Sequence, residues 1–391
     1  MISFEPRFWR QIDWLVVGST AALTAFGILI IYGTTYDPEA RSSYPIRQLM
    51  WWIVSAGAFV VVLFMNYGLL ARLALPIYLG CLALLAGLLA GAGLRAGGAA
   101  SWYDLGPLGV RFQPSEITKI AVILLVAAYL ARIKERLPGW RDLACVSVLA
   151  LVPALLIALQ PDAGTAATFL PLIVVMPWAA GARRRIYIVL AAIVLVAVTA
   201  YVTAFAIKGH FPFLKPYQEV RLRAFFSKIL PSSQQDTEER LTDSLMQATE
   251  WAPLQSRIAI GSGRLWGRGW CRGTQVRLGF LPQPHTDYIF ASCGEQFGLV
   301  GCALVLAFYG LLIYRSIFAA LHAKDWFGYL LIVGVLTVLI THIILNVGVA
   351  VDILPVTGLP LPLLSYGGSF LITMYVGLAL VTSVGMRRDV F

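Results

Sequence analysis

A few acids and one lysine stand where an otherwise apolar chain would not place them without purpose. Glu116 and Lys119 lie three apart in the run 114–131 and share one face if that run is helical. A charge within a membrane span costs roughly 2.5–3.5 kcal/mol, so each one needs a reason. Here it is either a structural ion pair between helices or a substrate site, and the two are compatible. Asp287 opens the run 287–314 at its water edge, where a carboxylate stays ionised and can meet a substrate. Glu295 sits about 12 Å deeper in the same run at 1.5 Å rise per residue. No cation shares that run, so Glu295 is expected to pair with Lys119 from another helix. Asp162, in Gln160-Pro161-Asp162-Ala163-Gly164-Thr165, is expected to cap the following helix. Asp352 sits just past the outer end of the run 326–349.

Two further segments frame these acids. Gly261-Ser262-Gly263-Arg264-Leu265-Trp266-Gly267-Arg268-Gly269 is basic and glycine-rich. Glycines let backbone N–H groups approach an anion, and arginine pairs with phosphate. The segment is not a Walker loop, because Gly-Lys-Ser/Thr is missing. Pro355-Val356-Thr357-Gly358-Leu359-Pro360-Leu361-Pro362 is not regular helix, because its prolines break the ladder. Irregular backbone at membrane depth lines a cavity or is buried in protein. The chemistry these residues suit is recognition of a lipid-linked phosphate or diphosphate in an outward-facing polar cavity.

The elements that must position them are membrane helices. The chain is 59% hydrophobic and only 13% charged over 391 residues, against about 25% charged in soluble domains. Ten runs reach spanning length: 14–34, 47–66, 73–94, 114–131, 143–160, 163–182, 186–207, 287–314, 326–349 and 363–386. The expected fold is therefore an all-α integral membrane domain over 1–391. With ten spans, Arg7 and Arg10, Arg132 to Arg141, Arg183 to Arg185, Arg315 and Lys324, and Arg387 and Arg388 all fall on one side. That side is cytoplasmic by the positive-inside rule, and both termini lie there. The loop 208–286, between spans seven and eight, is then extracytoplasmic. Its stretch Tyr217 to Leu230 has the spacing of an interfacial helix, and Trp251 to Pro284 is expected to be ordered against the membrane. The net charge of +10 fits cytoplasmic loops and anionic headgroups. No basic stripe on a soluble element points to nucleic acid. The cysteines form no CxxC pair and the histidines show no metal-ligand spacing. No cleavable signal peptide is expected, because 14–34 is long enough to span.

In these residues the chain resembles the SEDS family (shape, elongation, division and sporulation), in its RodA-like branch. The match is carried by Phe112-Gln113-Pro114-Ser115-Glu116 with Lys119, Gln160-Pro161-Asp162 with Gly164-Thr165, and Gln255-Ser256 with Ile258 to Gly263. It continues through Leu281-Pro282 with His285-Thr286-Asp287-Tyr288-Ile289-Phe290, and Pro355 to Ser369 with Ser365-Tyr366-Gly367-Gly368. These motifs occur in family order over most of the chain. Ser101-Trp102, Glu295-Gln296 and Asp352-Ile353 depart from common family patterns.

The resemblance implies a peptidoglycan glycosyltransferase that polymerises lipid II on the outer face of the bacterial cytoplasmic membrane during cell elongation. It also implies a class B penicillin-binding protein as partner within the elongation machinery. The family's essential aspartate maps onto Asp287, expected to deprotonate the acceptor hydroxyl. Charge on the departing diphosphate needs fixed cations or a divalent metal, Mg or Mn. Lys119, Arg221, Arg223 and Arg264 are the candidate cations, with Glu116 holding Lys119. Ser365 belongs to the same substrate-facing set, and Glu295 and Asp162 are supporting residues. Three alternatives stay open: a lipid-linked precursor flippase, a non-catalytic elongation scaffold, and an FtsW-like division polymerase.

Overall fold

The computed structural model of the chain describes residues 11–36, 42–92, 94–96, 99–104, 111–134, 136–208 and 239–387. Among the described residues, eight helices are long and apolar enough to cross a membrane: α1 (Trp14–Thr35), α2 (Tyr44–Phe64), α3 (Tyr67–Gly87), α4 (Pro114–Arg132), α5 (Trp140–Leu159), α11 (Ile289–Leu321), α12 (Trp326–Ala350) and α13 (Gly368–Met386). The sixth expected span is broken into α6 (Ala163–Ala167) and α7 (Leu170–Ala179), and the seventh is α8 (Arg184–Lys208). Among the described residues two further helices precede α11: α9 (Glu239–Gly263) and α10 (Thr274–Arg277). The protein is a multi-pass membrane protein.

Local chemistry explains the boundaries. The carboxylate of Asp13 accepts from the Leu15 amide and caps α1. Asn66 caps α3 through the Gly68 amide, so that helix starts earlier than residue 73. Its π-helical extension Leu88–Ala92 is broken at Gly91, whose φ of 99° leaves the helical region. Pro171 in the first turn of α7 has no N–H to continue the ladder from α6, which breaks the sixth span. Asp325 caps α12 through the Gly328 amide at 2.6 Å. The chain also forms a small antiparallel sheet that an all-helical expectation omits. It has the order β1 (Leu94–Ala96), β2 (Ala99–Asp104) and β3 (Arg111–Phe112). Tyr103 ties it to the membrane helices by donating to the Leu84 carbonyl. A sheet of this length carries too little apolar alternation to stand out beside the spans.

The centre of the bundle is α13, α4 and α12, whose apolar windows are 89%, 72% and 61% buried, against 22% for α2. Leu23, Ile30, Ile123, Leu130, Leu330 and Leu364 are closed from solvent in one core. Close approach is set by small residues: a Cβ on Gly27 would stand 2.5 Å from the Leu364 carbonyl oxygen. Outward-facing Ile53, Leu155 and Trp178 are each more than 60% exposed, as a lipid-contacting surface requires. A second, smaller core of Ala259, Val276, Leu281, Tyr288, Ala291 and Val349 joins α9, α10 and the 280s turn to the ends of α11 and α12. Trp251 to Pro284 is thus ordered against the bundle. The stretch Tyr217 to Leu230 lies outside the described residues.

The glycine-rich segment has a role different from the expected anion cradle. Helix α11 kinks at Gly298 (φ 66°, ψ −161°), which breaks its ladder. The segment repairs the break with its own backbone. The Leu299 and Val300 amides donate to the carbonyls of Arg264 and Leu265 at 2.8 and 3.1 Å. In return the Arg268 and Gly269 amides donate to the carbonyls of Glu295 and Gln296 at 2.8 and 3.2 Å. Buried backbone at membrane depth must be satisfied, and here the loop does it. The glycines permit the approach: a Cβ on Gly267, at φ 82°, would lie 2.1 Å from the Gln296 carbonyl oxygen. Gly267→Ala is therefore expected to lower stability by more than about 1 kcal/mol. Gly261→Ala, which meets nothing within 4 Å, serves as the control. Thermal unfolding of both variants in detergent checks this. Equal midpoints would remove the packing role.

Candidate active site

The irregular segment Pro355–Pro362 and its continuation to Gly367 form the hub of the site. Several of its peptide groups find partners on surrounding elements. The Leu359 carbonyl accepts from Asn346 Nδ2 of α12 at 2.8 Å. The Pro360 carbonyl faces His342 Nδ1, one turn earlier on the same helix, at 3.2 Å. The Pro362 carbonyl accepts from the Tyr309 hydroxyl of α11. The Leu361 amide donates to Ser365 Oγ at 2.8 Å, and its carbonyl accepts from the Ser365 amide at 3.0 Å. Without these partners a segment with three prolines would leave carbonyls unpaired inside the bundle.

Asp287 lies in the turn before α11, not in the helix, and is half-buried. Its turn is clamped onto the hub at three backbone points. Asn346 Nδ2 donates to the Asp287 carbonyl at 2.8 Å, Ser365 Oγ to the Thr286 carbonyl at 2.7 Å, and the Tyr366 amide to the His285 carbonyl at 2.9 Å. A Cβ built on Gly358 would come within 3.6 Å of Asp287 Oδ2, so the carboxylate rests against the hub at Gly358. The Asp162 turn reaches the neighbouring residue: a Cβ on Gly164 would lie 2.3 Å from the Thr357 carbonyl oxygen. The two carboxylate-bearing turns therefore flank Thr357 and Gly358. Asp162 caps α6 through the Thr165 amide, as expected from the sequence, and also accepts from Gln113 Nε2 at 3.2 Å.

Glu116 and Lys119 form a buried ion pair on α4, with both carboxylate oxygens 3.0 Å from the ammonium. The third donor of Lys119 faces His342 Nε2 at 3.0 Å. An ammonium has three N–H donors, and all three are used. Lys119 is also fully buried, with the Phe370 ring 5.5 Å away. It therefore stands behind the hub, where it has no donor left for a diphosphate.

The expected Lys119–Glu295 pair does not form. Glu295 instead accepts from the Gln275 and Val276 amides at 2.7 and 3.2 Å and from Thr274 Oγ1 at 3.4 Å. It caps α10, whose first amides lack helical partners. A Cβ on Gly273 would lie 2.6 Å from Glu295 Oε2, so this fit needs glycine. Ser365 is fully engaged in holding the hub to the Asp287 turn. Arg264 is exposed at the end of α9 with φ 50°. Arg221 and Arg223 lie outside the described residues. Asp352 pairs with Arg257 of α9 at 3.4 Å.

Sequence reasoning missed several contributors. His285 packs between Tyr44 and Tyr366, with ring centroids 4.5 and 5.9 Å away, and burial holds its imidazole below the usual pKa. Arg47 and Arg111 both lie close enough to the Tyr366 hydroxyl to act on it through their charge. These are cations near the Asp287 turn that no motif singled out. His342 and Asn346 lie in an apolar helix and were passed over. Their spacing of one turn could have flagged them, as two polar side chains on one face of a span. Among the described residues no group of three His, Cys, Asp or Glu side chains is arranged to hold a metal.

The family profile described as Cell cycle protein, covering FtsW, RodA and SpoVE, matches residues 13–389. The peptidoglycan glycosyltransferase MrdB of Escherichia coli K12 is 40% identical over 291 residues, covering 74% of this chain and 72% of that protein. The fold is similar to a chain solved in work on the structural coordination of polymerization and crosslinking by a peptidoglycan synthase complex (TM-score 0.76, 29% identity, 97% and 99% of the two chains). It is also similar to the Thermus thermophilus rod shape determining protein RodA (TM-score 0.66, 28% identity, 96% and 97%).

Proposed function

The chain belongs to the FtsW, RodA and SpoVE family of cell cycle proteins, and on that premise we propose that it is a RodA-type peptidoglycan glycosyltransferase that polymerises lipid II. The observation that carries the reading is the Asp287 turn, clamped by Asn346, Ser365 and Tyr366 to the irregular segment. A general base must be held still against its substrate, and this turn is held at its backbone while its side chain sits at the surface of the hub. Asp287 takes the proton from the acceptor sugar hydroxyl as that oxygen bonds to the donor anomeric carbon. The bond from that carbon to the lipid diphosphate breaks, and the diphosphate leaves with the electron pair.

Arg47 and Arg111, and the loop cations Arg221, Arg223 and Arg264, supply positive charge for the leaving group. A divalent cation, Mg or Mn, would neutralise the same charge. With no preassembled cluster of ligands among the described residues, it would take most of its shell from diphosphate oxygens, with Asp287 or Asp162 as the carboxylate. In this reading both termini are cytoplasmic and 208–286 lies outside, in the bacterial inner membrane. The partner is a class B penicillin-binding protein that crosslinks the new glycan. The RodA branch is favoured by the Pro355-Val356-Thr357-Gly358 motif. The FtsW-like division polymerase shares the chemistry. Reconstitution with lipid II and the cognate penicillin-binding protein tests the reading: glycan strands are the expected product. Movement of lipid II across the bilayer without polymer would overturn it in favour of a flippase.

A further inference from the structure

Helix α12 offers two polar side chains on one face, and both reach the hub. Asn346 joins the Leu359 and Asp287 carbonyls. His342 sits about 6 Å earlier along the helix, by the rise of four residues. It is completely buried and touches two things of opposite character: the Lys119 ammonium at Nε2, 3.0 Å away, and the Pro360 carbonyl at Nδ1, 3.2 Å away. An ammonium can only donate and a carbonyl can only accept. These contacts determine the ring's state. Nδ1 carries the hydrogen and donates it to Pro360, and Nε2 is the bare acceptor for Lys119. The Phe370 ring, with its centroid 4.9 Å from the imidazole, closes the remaining side. The charged groups facing this imidazole are Lys119 and, through it, Glu116, both on α4.

A buried neutral histidine with both nitrogens committed could be only a satisfied core residue. Its position argues for more. The Pro360 carbonyl is two residues from Gly358, against which the Asp287 carboxylate rests. The Leu359 carbonyl between them shares its donor, Asn346, with Asp287. His342 thus touches both the Glu116–Lys119 pair and this wall. We infer that His342 is a positioning residue through which the buried Glu116–Lys119 pair fixes the Gly358–Pro360 wall against Asp287. The ion pair thereby acts on the reaction without touching substrate. This inference rests on the glycosyltransferase reading above, in which Asp287 is the base.

The test uses the full chain with its penicillin-binding partner and lipid II. His342→Phe keeps the ring volume but removes both hydrogen bonds. His342→Gln keeps one amide donor and one carbonyl acceptor. For His342→Phe the turnover rate is expected to fall about 10–100-fold, as a misplacement near 1 Å does elsewhere. Its KM for lipid II should stay within about threefold, because no substrate contact is lost. His342→Gln should recover most of the rate. A His342→Phe enzyme with wild-type turnover would overturn the inference while leaving the glycosyltransferase reading intact. A wild-type chain that makes no polymer would instead sink that reading. A second measurement does not depend on activity. The 15N spectrum of histidine-labelled wild-type protein at neutral pH, with His342 assigned by its absence in His342→Gln, should show one protonated and one bare ring nitrogen. Two protonated nitrogens, or a bare Nδ1, would overturn the relay.

Discussion

Asp287→Asn is expected to lower the rate of lipid II polymerisation by about 10²–10⁴-fold, the usual contribution of a general base. The structure gives a reason to expect this loss without loss of the fold. The clamp on this turn uses the Asp287, Thr286 and His285 carbonyls, all main-chain groups. Asparagine keeps the main chain and nearly the same volume, so Asn346, Ser365 and Tyr366 retain their partners. The variant should elute and melt as the wild type does, while its amide has no lone pair basic enough to take the acceptor proton. The measurement is glycan strand formation from lipid II by the purified, partner-activated protein, with thermal unfolding alongside. Wild-type polymerisation by Asp287→Asn would end the assignment of this residue as base. A lower melting temperature with proportionate loss of rate would reduce Asp287 to a structural residue.

The second large effect is expected at the buried ion pair. Lys119→Met removes the cation and leaves the Glu116 carboxylate enclosed, with both of its 3.0 Å contacts gone. Removing one partner of a buried pair costs about 3–5 kcal/mol, mostly because an uncompensated charge remains. The variant should therefore unfold at markedly lower temperature in detergent. Replacing both partners, with Glu116→Gln and Lys119→Met together, removes the stranded charge and should restore much of that stability. Turnover should not recover with it, because the His342 Nε2 acceptor still lacks its ammonium donor. Stability that returns while the rate does not is the signature of a pair that positions the wall at Gly358. If Lys119→Met melts like the wild type, the pair is not the buried lock described here.

The helical fold was legible in the sequence for a simple reason. Apolar runs of about 20 residues have few alternatives in a bilayer, since only a helix satisfies its own backbone there. Each of the ten expected runs contains helix, although Pro171 divides the sixth, the tenth begins only at Gly368 because 363–367 belongs to the irregular hub, and Arg315 proved to lie inside α11, paired with Asp13 of the α1 cap. The irregular Pro355–Pro362 segment and the capping role of Asp162 were legible too, because proline and a short carboxylate act on their immediate neighbours.

Partner choice was not legible. Composition shows that Glu295 needs something to offset its burial, but it does not say whether a lysine or a row of amides will arrive. The fold brought α10 to Glu295 and gave Lys119 to His342. The glycine-rich segment likewise has the residues of an anion loop, and only the kink at Gly298 reveals that the Arg268 and Gly269 amides are spent on broken helix carbonyls. The opening set of acids and one lysine was therefore correctly marked as unusual by sequence alone, since the cost of burying charge is a property of the residue. Which of them faces the hub, and which stands behind it, depends on contacts between segments far apart in the chain, and those exist only once the helices have packed.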